Sequence, residues 1–283
     1  MELYRYPGNG QMKQNRVGEL EYLTFPLLDK TGMVRHLFST RLGGVSEGIF
    51  ASMNLSYTRG DRKEAVDENY RRIAAVLGCS VEDIVCSDQT HTTNLKVVGR
   101  GDGGKGITRR RDYHDVDGLL TDEPGIVLAT FYADCVPLYF VDMKHRAIAL
   151  AHSGWRGTVA RMGQCVVEKM RESYGTDPED IVAAVGPSIC QECYEVSEDV
   201  AEAFYKEFRK EGQGQEILLA KGGGKYQLDL WRANEIVLAE AGVLPSRIQV
   251  TDLCTCHNSA YLFSHRASHG RRGNLGAFLG LLE

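Results

Sequence analysis

The feature that most constrains the fold is the stretch formed by residues 131–158, FYADCVPLYFVDMKHRAIALAHSGWRGT. Residues 126–132 and 146–151 are short, apolar and rich in β-branched side chains, which predicts two buried strands. Cys135 follows the first of these segments, and His152 follows the second. If the two strands are neighbours in one sheet, the side chains just past their ends meet in one pocket.

Taken singly, both residues have ordinary interpretations. A free cysteine is among the most buried residue types, and a histidine can be a hydrogen-bonded core residue. Asp134 precedes the cysteine, and Arg156 lies shortly after the histidine. Four reactive side chains at two strand ends are difficult to explain by packing alone, so the sequence favours a functional site here.

The 283 residues are 43% hydrophobic and 25% charged, which is typical of a globular protein. A formal net charge of −5 gives no case for nucleic-acid binding. The N-terminus lacks the apolar core of a signal peptide, and no apolar run approaches the roughly 20 residues of a membrane span. We therefore expect a cytoplasmic protein without nucleic-acid or membrane partners. Strands and helices alternate without a strict βαβ order, which predicts one α+β domain over residues 1–283.

Eight cysteines are too few for a disulfide scaffold in a chain of this length. Cys190 and Cys193 form a C-x-x-C pair, and Cys254 and Cys256 directly precede His257. Together these residues offer a closed structural zinc site. The tight C-x-C spacing and the long separation of the two pairs favour unconnected thiols instead.

Two Arg-Gly segments are candidates for anion binding. Residues 34–39 predict a strand that leads into Arg41 and two glycines, where an arginine and a closely approaching backbone can cradle an anion. An ordinary glycine turn with a solvated arginine is the alternative. Arg156 lies in the second segment, at the start of a helix predicted to be capped by Thr158. Free N–H groups at such a helix start suit phosphate or carboxylate.

Several parts of the sequence match the motifs of a known family. They are HLFSTRLGGVS, DVDGLLT, ADCVPLYFVD, AHSGWRGT, AVGPSI with CYEV, and FSHR. Over about residues 30–273 the chain thereby resembles the multicopper polyphenol oxidase ("laccase") domain family. Its members are described largely as purine nucleoside phosphorylases, and one bacterial branch as peptidoglycan editing factors. The resemblance implies a fold of mixed sheets flanked by helices, which has been compared to that of cysteine hydrolases.

The resemblance also implies one metal ion, usually taken to be zinc, held by two histidines and a cysteine. These ligands correspond to His91, Cys135 and His152. A His₂Cys set leaves one tetrahedral position open, as in catalytic zinc sites, and it also suits copper. The chain departs from the family pattern at Thr90 and Thr92, where many members carry Val and Gly around the first histidine.

The activities that the resemblance implies are phosphorolysis of adenosine, inosine and methylthioadenosine, and deamination of adenosine. Phosphorolysis needs cationic donors to seat phosphate. Arg41, Arg156 and His36 are the candidates for this seat. Arg266 is a further candidate, although Ala267 follows it where the family pattern has a second basic residue.

Deamination needs an activated water and a carboxylic acid that carries protons. Asp134 and Asp117 are the nearest carboxyl groups in the sequence. Asp134 is also placed to orient a ligand histidine, and this role is the favoured one. Cys135, Asp134 and His152 are therefore the candidate catalytic residues.

Two other functions remain open. A copper-dependent polyphenol oxidase with a blue-copper site and a trinuclear cluster would need more histidines than the 8 scattered along this chain. A peptidoglycan-precursor editing hydrolase would use Cys135 as nucleophile and His152 as base. For the favoured function, the expected partners are a small-molecule nucleoside and phosphate, and the protein is expected to be a monomer or a homodimer.

Overall fold

The computed structural model describes residues 2–210 and 212–283. Within these residues the chain forms fifteen strands and seven helices, together with short 3-10 turns. The strands are β1 (Lys13–Val17), β2 (Leu20–Thr24), β3 (Val34–Ser39), β4 (Ile84–Cys86), β5 (Leu95–Val97), β6 (Gly118–Thr121), β7 (Val127–Tyr132), β8 (Val136–Asp142), β9 (Ala147–Ser153), β10 (Ile181–Val185), β11 (Glu195–Ser197), β12 (Leu218–Gly222), β13 (Lys225–Leu228), β14 (Ile248–Val250) and β15 (Leu275–Leu281). The helices are α1 (Pro26–Asp29), α2 (Lys63–Leu77), α3 (Trp155–Val159), α4 (Met162–Tyr174), α5 (Glu198–Glu207), α6 (Gln213–Ile217) and α7 (Leu230–Glu240).

The first sheet has six strands in the order β1-β2-β3-β15-β7-β4. Neighbouring strands are antiparallel, except that β4 runs parallel to β7. The last strand of the chain therefore lies near the middle of the sheet, where Ala277 pairs with Phe38 on one side and with Thr130 on the other. Small apolar residues and leucines along β15 suit this position, because every residue of the strand is buried.

The second sheet also has six strands, in the order β14-β10-β8-β9-β6-β5. The strands β8 and β9 form its centre, and all their residues are buried. Their antiparallel register places Pro137 opposite His152. The outer pairs, β10 with β14 and β5 with β6, are parallel.

The two sheets pack face to face, and helices cover their outer faces. Leu128 and Leu279 of the first sheet share one buried core with Tyr139 and Leu150 of the second. The outer face of the second sheet packs on α4, α5 and α7 and on a small third sheet, β11-β13-β12. On the opposite side, α2 buries an apolar stripe against the first sheet, including Tyr70. This arrangement confirms the predicted α+β fold of mixed sheets flanked by helices.

Two local expectations need correction. The strand that precedes Cys135 and the strand that contains His152 are not neighbours in one sheet. The first of them, β7, belongs to the first sheet, and the other, β9, belongs to the second. Thr158 does not cap a helix: it lies inside the short α3, and its hydroxyl donates to the Gly154 carbonyl. The chain then breaks at Arg161, whose φ of 59° precedes the start of α4. None of the helices in the described residues is long and apolar enough to cross a membrane.

Candidate metal centre and its pocket

His91, Cys135 and His152 converge at one end of the sandwich formed by the two large sheets. One potential ligand atom from each side chain lies within 4.8 Å of the other two. The Cys135 Sγ and His91 Nε2 atoms are 3.9 Å apart. The two imidazole rings meet edge to face, with centroids separated by 4.9 Å. The structure thus brings together the three side chains that the sequence indicated as ligands.

Three different elements supply these side chains. Cys135 lies in the tight turn between β7 and β8, where the preceding Asp134 adopts a φ of 86°. His152 projects from β9 beside that turn, because the β8–β9 register pairs it with Pro137. His91 comes from the loop between β4 and β5 and has a φ of 68°. Positive φ is uncommon outside glycine, and at Asp134 and His91 it accompanies the turns that place Cys135 and His91 beside His152.

A single buried carboxylate, that of Asp117, positions two of the three ligands. Its Oδ1 atom lies 2.8 Å from His152 Nδ1 and accepts a hydrogen bond from the His91 backbone N–H. Its Oδ2 atom accepts from the backbone N–H groups of Thr90 and Thr92 and from the Thr92 hydroxyl. The contact with Nδ1 leaves Nε2 of His152 free to act as a ligand, which is the usual arrangement of a carboxylate behind a metal-bound histidine.

Burial and neighbouring groups shift the pKa values of Asp117, Cys135 and His152. Burial opposes ionisation of Asp117, but the hydrogen bonds from His152 and from the Thr92 and Thr90 backbone lower its pKa to about 2. Burial likewise opposes the Cys135 thiolate, yet His152 and His91 together lower the pKa of this thiol. The pKa of His152 is raised, because Cys135 and Asp117 outweigh the effect of burial.

The side chains of Cys135 and His91 leave little room for a side chain at Gly154. A Cβ atom there would lie 3.1 Å from Cys135 Sγ and 3.1 Å from His91 Cδ2, which is closer than ordinary packing. The glycine therefore lets the end of β9 approach both ligands. Two imidazoles and one thiolate on three sides suit a tetrahedral zinc ion with one position left open, and the same donors suit copper.

The three side chains form the inner end of a pocket of about 300 Å³. This volume is at the lower end of the roughly 300–1,000 Å³ typical of small-molecule sites. Three arginines also line the pocket, Arg59, Arg111 and Arg272. Arg111 is held by Asp88, with N–O 2.7 Å, and by the Ser87 carbonyl.

Arg272 is the buried cation of this pocket, only 8% exposed. One of its NH groups donates to the Gly273 carbonyl and to Asn274 Oδ1, while its buried Nε has no hydrogen-bond partner among the described residues. Burial, followed by repulsion from the Arg59 guanidinium, lowers the pKa of Arg272 to about 10. A bound anion would offset both the burial of the Arg272 charge and its repulsion from Arg59.

The four residues expected to seat phosphate do not line this pocket. His36 is buried between strands, accepts the Phe25 backbone N–H at 2.8 Å, and has a pKa lowered to about 4 by burial. The Arg41 guanidinium donates to two backbone carbonyls and stacks on an aromatic ring. Arg156 is exposed and stacks on its neighbour Trp155.

Arg266 is likewise engaged away from the pocket, because its guanidinium donates to the carbonyls of Cys193 and Glu195. Its backbone N–H donates to Asp134 Oδ2, and the Thr255 hydroxyl donates to Asp134 Oδ1. Asp134 therefore joins its turn to the C-terminal loops and does not orient a ligand histidine. Asp117 performs that role.

Sequence reasoning did not indicate Arg59 and Arg272 as pocket residues. The pattern that could have indicated them, an arginine followed by a glycine, is ambiguous. Each precedes a glycine, as Gly60 and Gly273 show. The same Arg-Gly pattern pointed to the segments around Arg41 and Arg156. Only the tertiary structure distinguishes an arginine that faces the pocket from one that binds backbone carbonyls.

The sequence favoured unconnected thiols near residues 190 and 254, but the structure brings three of these cysteines together. Cys190, Cys193, Cys254 and His257 form a second group in which one ligand atom from each lies within 4.8 Å of the others. Cys256 does not belong to this group of four. The separation of the two segments along the chain therefore gave the wrong expectation, because β10 and β14 run in parallel and bring their following turns together.

Comparison with known proteins identifies relatives over nearly the whole chain. The family described as "Multi-copper polyphenol oxidoreductase laccase" matches residues 35–282. A Bacillus subtilis protein named purine nucleoside phosphorylase YlmD is 35% identical over 250 residues, which cover 87% of this chain and 88% of that protein. A Deinococcus radiodurans protein named purine nucleoside phosphorylase is 40% identical over 257 residues, covering 90% and 93% of the two chains.

Solved structures show the same architecture. YlmD from Geobacillus stearothermophilus is 34% identical, has a TM-score of 0.87, and covers 95% of this chain and 99% of its own. The hypothetical protein YfiH of Bacillus licheniformis is 32% identical, also with a TM-score of 0.87, and covers 94% and 98%. The likeness extends over both large sheets, so the site described above lies within the shared fold.

Proposed function

Because this chain belongs to the multi-copper polyphenol oxidoreductase laccase family, which includes relatives named purine nucleoside phosphorylases, we propose that it is a zinc-dependent purine nucleoside phosphorylase. Its substrates are adenosine, inosine and methylthioadenosine, and adenosine deamination is a slower side activity. It acts in the cytoplasm, as a monomer or homodimer. The observation that carries the proposal is that buried Arg272 and neighbouring Arg59 share one pocket with His91, Cys135 and His152.

In the proposed reaction, a phosphate oxygen forms a bond to the anomeric carbon of ribose while the C–N bond to the purine breaks. The purine leaves with the bonding electron pair and takes up a proton. Arg59 and Arg272 seat the phosphate, since charge-assisted hydrogen bonds from arginine suit its oxygens. Filling this seat also removes the repulsion between the two guanidinium groups.

His91, Cys135 and His152 would hold the metal, with the proton of His152 kept on Nδ1 by Asp117. When bound, zinc supplies a Lewis acid at the position that these three side chains leave open. For the deaminase activity, the carboxylate that lines the pocket is Asp88. Asp88 replaces Asp134 as the candidate proton carrier, because Asp88 lines the pocket and Asp134 does not.

The test is a product analysis with purified, zinc-loaded protein. Adenosine with phosphate should yield adenine and ribose 1-phosphate, equally under air and under nitrogen, whereas adenosine alone should yield inosine slowly. Cys135→Ala should lose both reactions together with the metal. Oxygen-dependent turnover of phenols without release of adenine would instead favour the copper oxidase.

The phosphate seat is tested by Arg59→Ala and Arg272→Ala. Loss of one charge-assisted contact costs about 1.5–3 kcal/mol, which corresponds to about one to two powers of ten in the apparent Michaelis constant for phosphate. The constant for nucleoside should change much less. Arg110→Ala is the matched control, because Arg110 is exposed on the loop that carries Arg111 and does not line the pocket. Unchanged phosphate saturation in both pocket variants would contradict the assignment.

A second candidate function is supported by one specific contact. Cys135, His152 and Asp117 form a thiolate–imidazolium–carboxylate series, as in cysteine hydrolases, so a peptidoglycan-precursor hydrolase would use Cys135 as nucleophile and His152 as base. His91 distinguishes the two functions. It is a metal ligand in the phosphorylase, so His91→Ala should abolish phosphorolysis, whereas a cysteine hydrolase without metal should retain activity in this variant.

A further inference from the structure

A second set of metal-binding side chains lies where the turns that follow β10 and β14 meet. Cys190 directly precedes the 3-10 turn Gln191–Cys193 and Cys193 ends it, while Cys254 and His257 follow β14. The parallel pairing of the two strands continues as a bridge between Ser188 and Cys254. The backbone N–H of Cys190 then donates to Cys254 Sγ at 3.3 Å, which holds the two turns in contact.

We propose that Cys190, Cys193, Cys254 and His257 bind a structural zinc ion, separate from the metal centre of the pocket. One ligand atom from each residue lies within 4.8 Å of the other three. Three thiolates and one imidazole complete a tetrahedron and leave no open position, which is the composition of a structural site. The two metal-binding groups have no residue in common.

The individual distances agree with this geometry. Bond lengths of about 2.3 Å to sulfur and 2.0–2.1 Å to nitrogen place the two ligand atoms about 3.5 Å apart around tetrahedral zinc. The Cys190 Sγ and His257 Nδ1 atoms are 3.7 Å apart. Cys190 and Cys254 are buried, Cys193 is half-buried and His257 is exposed, so the group lies just below the surface and a metal ion can reach it.

The neighbouring polar groups suit a zinc site as well. His257 would bind through Nδ1, and its Nε2 atom lies 3.9 Å from Glu192 Oε2, a carboxylate on the far nitrogen of the ring. The Tyr6 hydroxyl lies 2.9 Å from Cys190 Sγ and 2.9 Å from Glu192 Oε2. Together with the Cys190 backbone N–H, it places hydrogen-bond donors next to the sulfur atoms, where they stabilise thiolates.

A zinc ion at this position would stabilise the C-terminal loops that support the pocket. Residues 251–274 of the chain form turns and isolated bridges rather than named strands or helices. This segment carries the Arg266 backbone N–H that bonds Asp134, and it also carries Arg272. Because the segment contributes no strand to the sheets described above, a metal crosslink to the turn after β10 would contribute directly to its folding.

The decisive experiment removes the pocket metal and leaves the cysteine group intact. Zinc-loaded protein carrying His91→Ala and Cys135→Ala should retain about one zinc per chain, while the unmodified protein should hold about two. Zinc X-ray absorption of the double variant should show three sulfur ligands and one nitrogen, whereas the pocket site would show one sulfur and two nitrogens. A double variant without zinc, or one in which these cysteines form disulfides, would overturn the proposal.

A second measurement does not depend on the pocket. Added to the variant that carries His91→Ala and Cys135→Ala, Cys193→Ser should remove the remaining zinc, lower the Tm, and make the Tm insensitive to a chelator that destabilises the double variant. Cys165→Ser is the matched control, because Cys165 is also a half-buried free thiol but belongs to neither metal-binding group. Full zinc content with Cys193→Ser added would refute the site. Neither measurement uses nucleoside turnover, so failure of the proposed function would not affect the result.

Discussion

The Asp117 carboxylate contacts both the loop that carries His91 and the ring of His152. The sequence suggested that Asp117 carries protons, but this carboxylate is fully buried and accepts several hydrogen bonds. A carboxyl group that exchanges protons with substrate needs a pKa near the working pH, whereas this pKa is lowered to about 2. Its contribution is therefore to hold the His91 loop and the His152 ring in position.

A second prediction at the residue scale concerns Gly154, whose backbone lies close to the side chains of Cys135 and His91. Gly154→Ala places a methyl group 3.1 Å from both Cys135 Sγ and His91 Cδ2, so the ligands must move apart. We expect zinc affinity to fall about 10–100-fold with the fold retained. Gly157→Ala is the control, because the nearest atoms to its Cβ are 3.6 Å away and an alanine favours the helix. Metal titration against a competing chelator checks the prediction, and equal affinities in the two variants would contradict it.

Buried His36 predicts a loss of stability in acid. Burial lowers its pKa from 6.5 to about 4. Between these values the unfolded chain binds a proton that the folded chain does not, so the stabilisation present above pH 6.5 is lost as the pH falls to 4. The loss amounts to about 3 kcal/mol. Urea unfolding from pH 7 to pH 4 should show a smaller decrease for His36→Gln, whose side-chain carbonyl can still accept the Phe25 N–H. Parallel pH curves would exclude this role for His36.

At the scale of elements, local patterns predict strands better than they predict partners. The strand Val34–Ser39 is confirmed with the bounds expected from the sequence, and β7 begins within one residue of its predicted start. The helix expected from Thr158 is divided, because Arg161 adopts a φ of 59° that no local signal indicates. The sequence did not predict which strands pair with each other, since the neighbours of β15 lie more than a hundred residues away along the chain.

Helix α2 supports the Arg-Gly segment that was interpreted as an anion cradle. Asn69 of α2 accepts the Val45 backbone N–H and donates to the carbonyls of Ser52 and Asn54. Asn69→Ala removes these hydrogen bonds and takes a donor from the buried Asn54 carbonyl, which should cost about 1–3 kcal/mol of unfolding free energy. Glu64→Ala, an exposed position on the same helix, should cost less than about 0.5 kcal/mol.

Urea unfolding measures the difference between the Asn69 and Glu64 variants, and limited proteolysis locates its effect. Cleavage within residues 43–54 should increase for Asn69→Ala only. If the two variants are equally stable and equally resistant, the hydrogen bonds of Asn69 do not hold this segment.

At the scale of the molecule, the pocket is assembled from parts of the chain that lie far apart in sequence. The family resemblance indicated His91, Cys135 and His152 as ligands, and Cys135 and His152 lie in its motifs ADCVPLYFVD and AHSGWRGT. It did not indicate Arg59 or Arg272, which reach the pocket only through the packing of the loops before α2 and before β15. The three candidate ligands were thus suggested by the sequence, whereas the cationic lining of the pocket depends on tertiary structure.

The position of β15 leads to a prediction about cooperativity. Its alternate residues face two different cores: Phe278 packs between the first sheet and α2, and Leu279 packs between the two sheets. Both tryptophans of the chain, Trp155 and Trp231, lie on the far side of the second sheet. We propose that the chain unfolds as one unit, so a change at Phe278 should be detected by tryptophans in another layer.

Phe278→Ala should lower the free energy of unfolding by about 3–5 kcal/mol, because it leaves a cavity in a fully buried position. In urea, tryptophan fluorescence and far-UV circular dichroism should shift to the same lower midpoint. Leu219→Ala, at a side chain that is 53% exposed, serves as the control and should leave both midpoints unchanged. A tryptophan transition that stays in place while the circular dichroism shifts would show that the two sheets unfold independently. Coincident shifts would mean that the layer bearing α2 and the layer bearing the tryptophans belong to one folding unit, connected through the buried faces of β15.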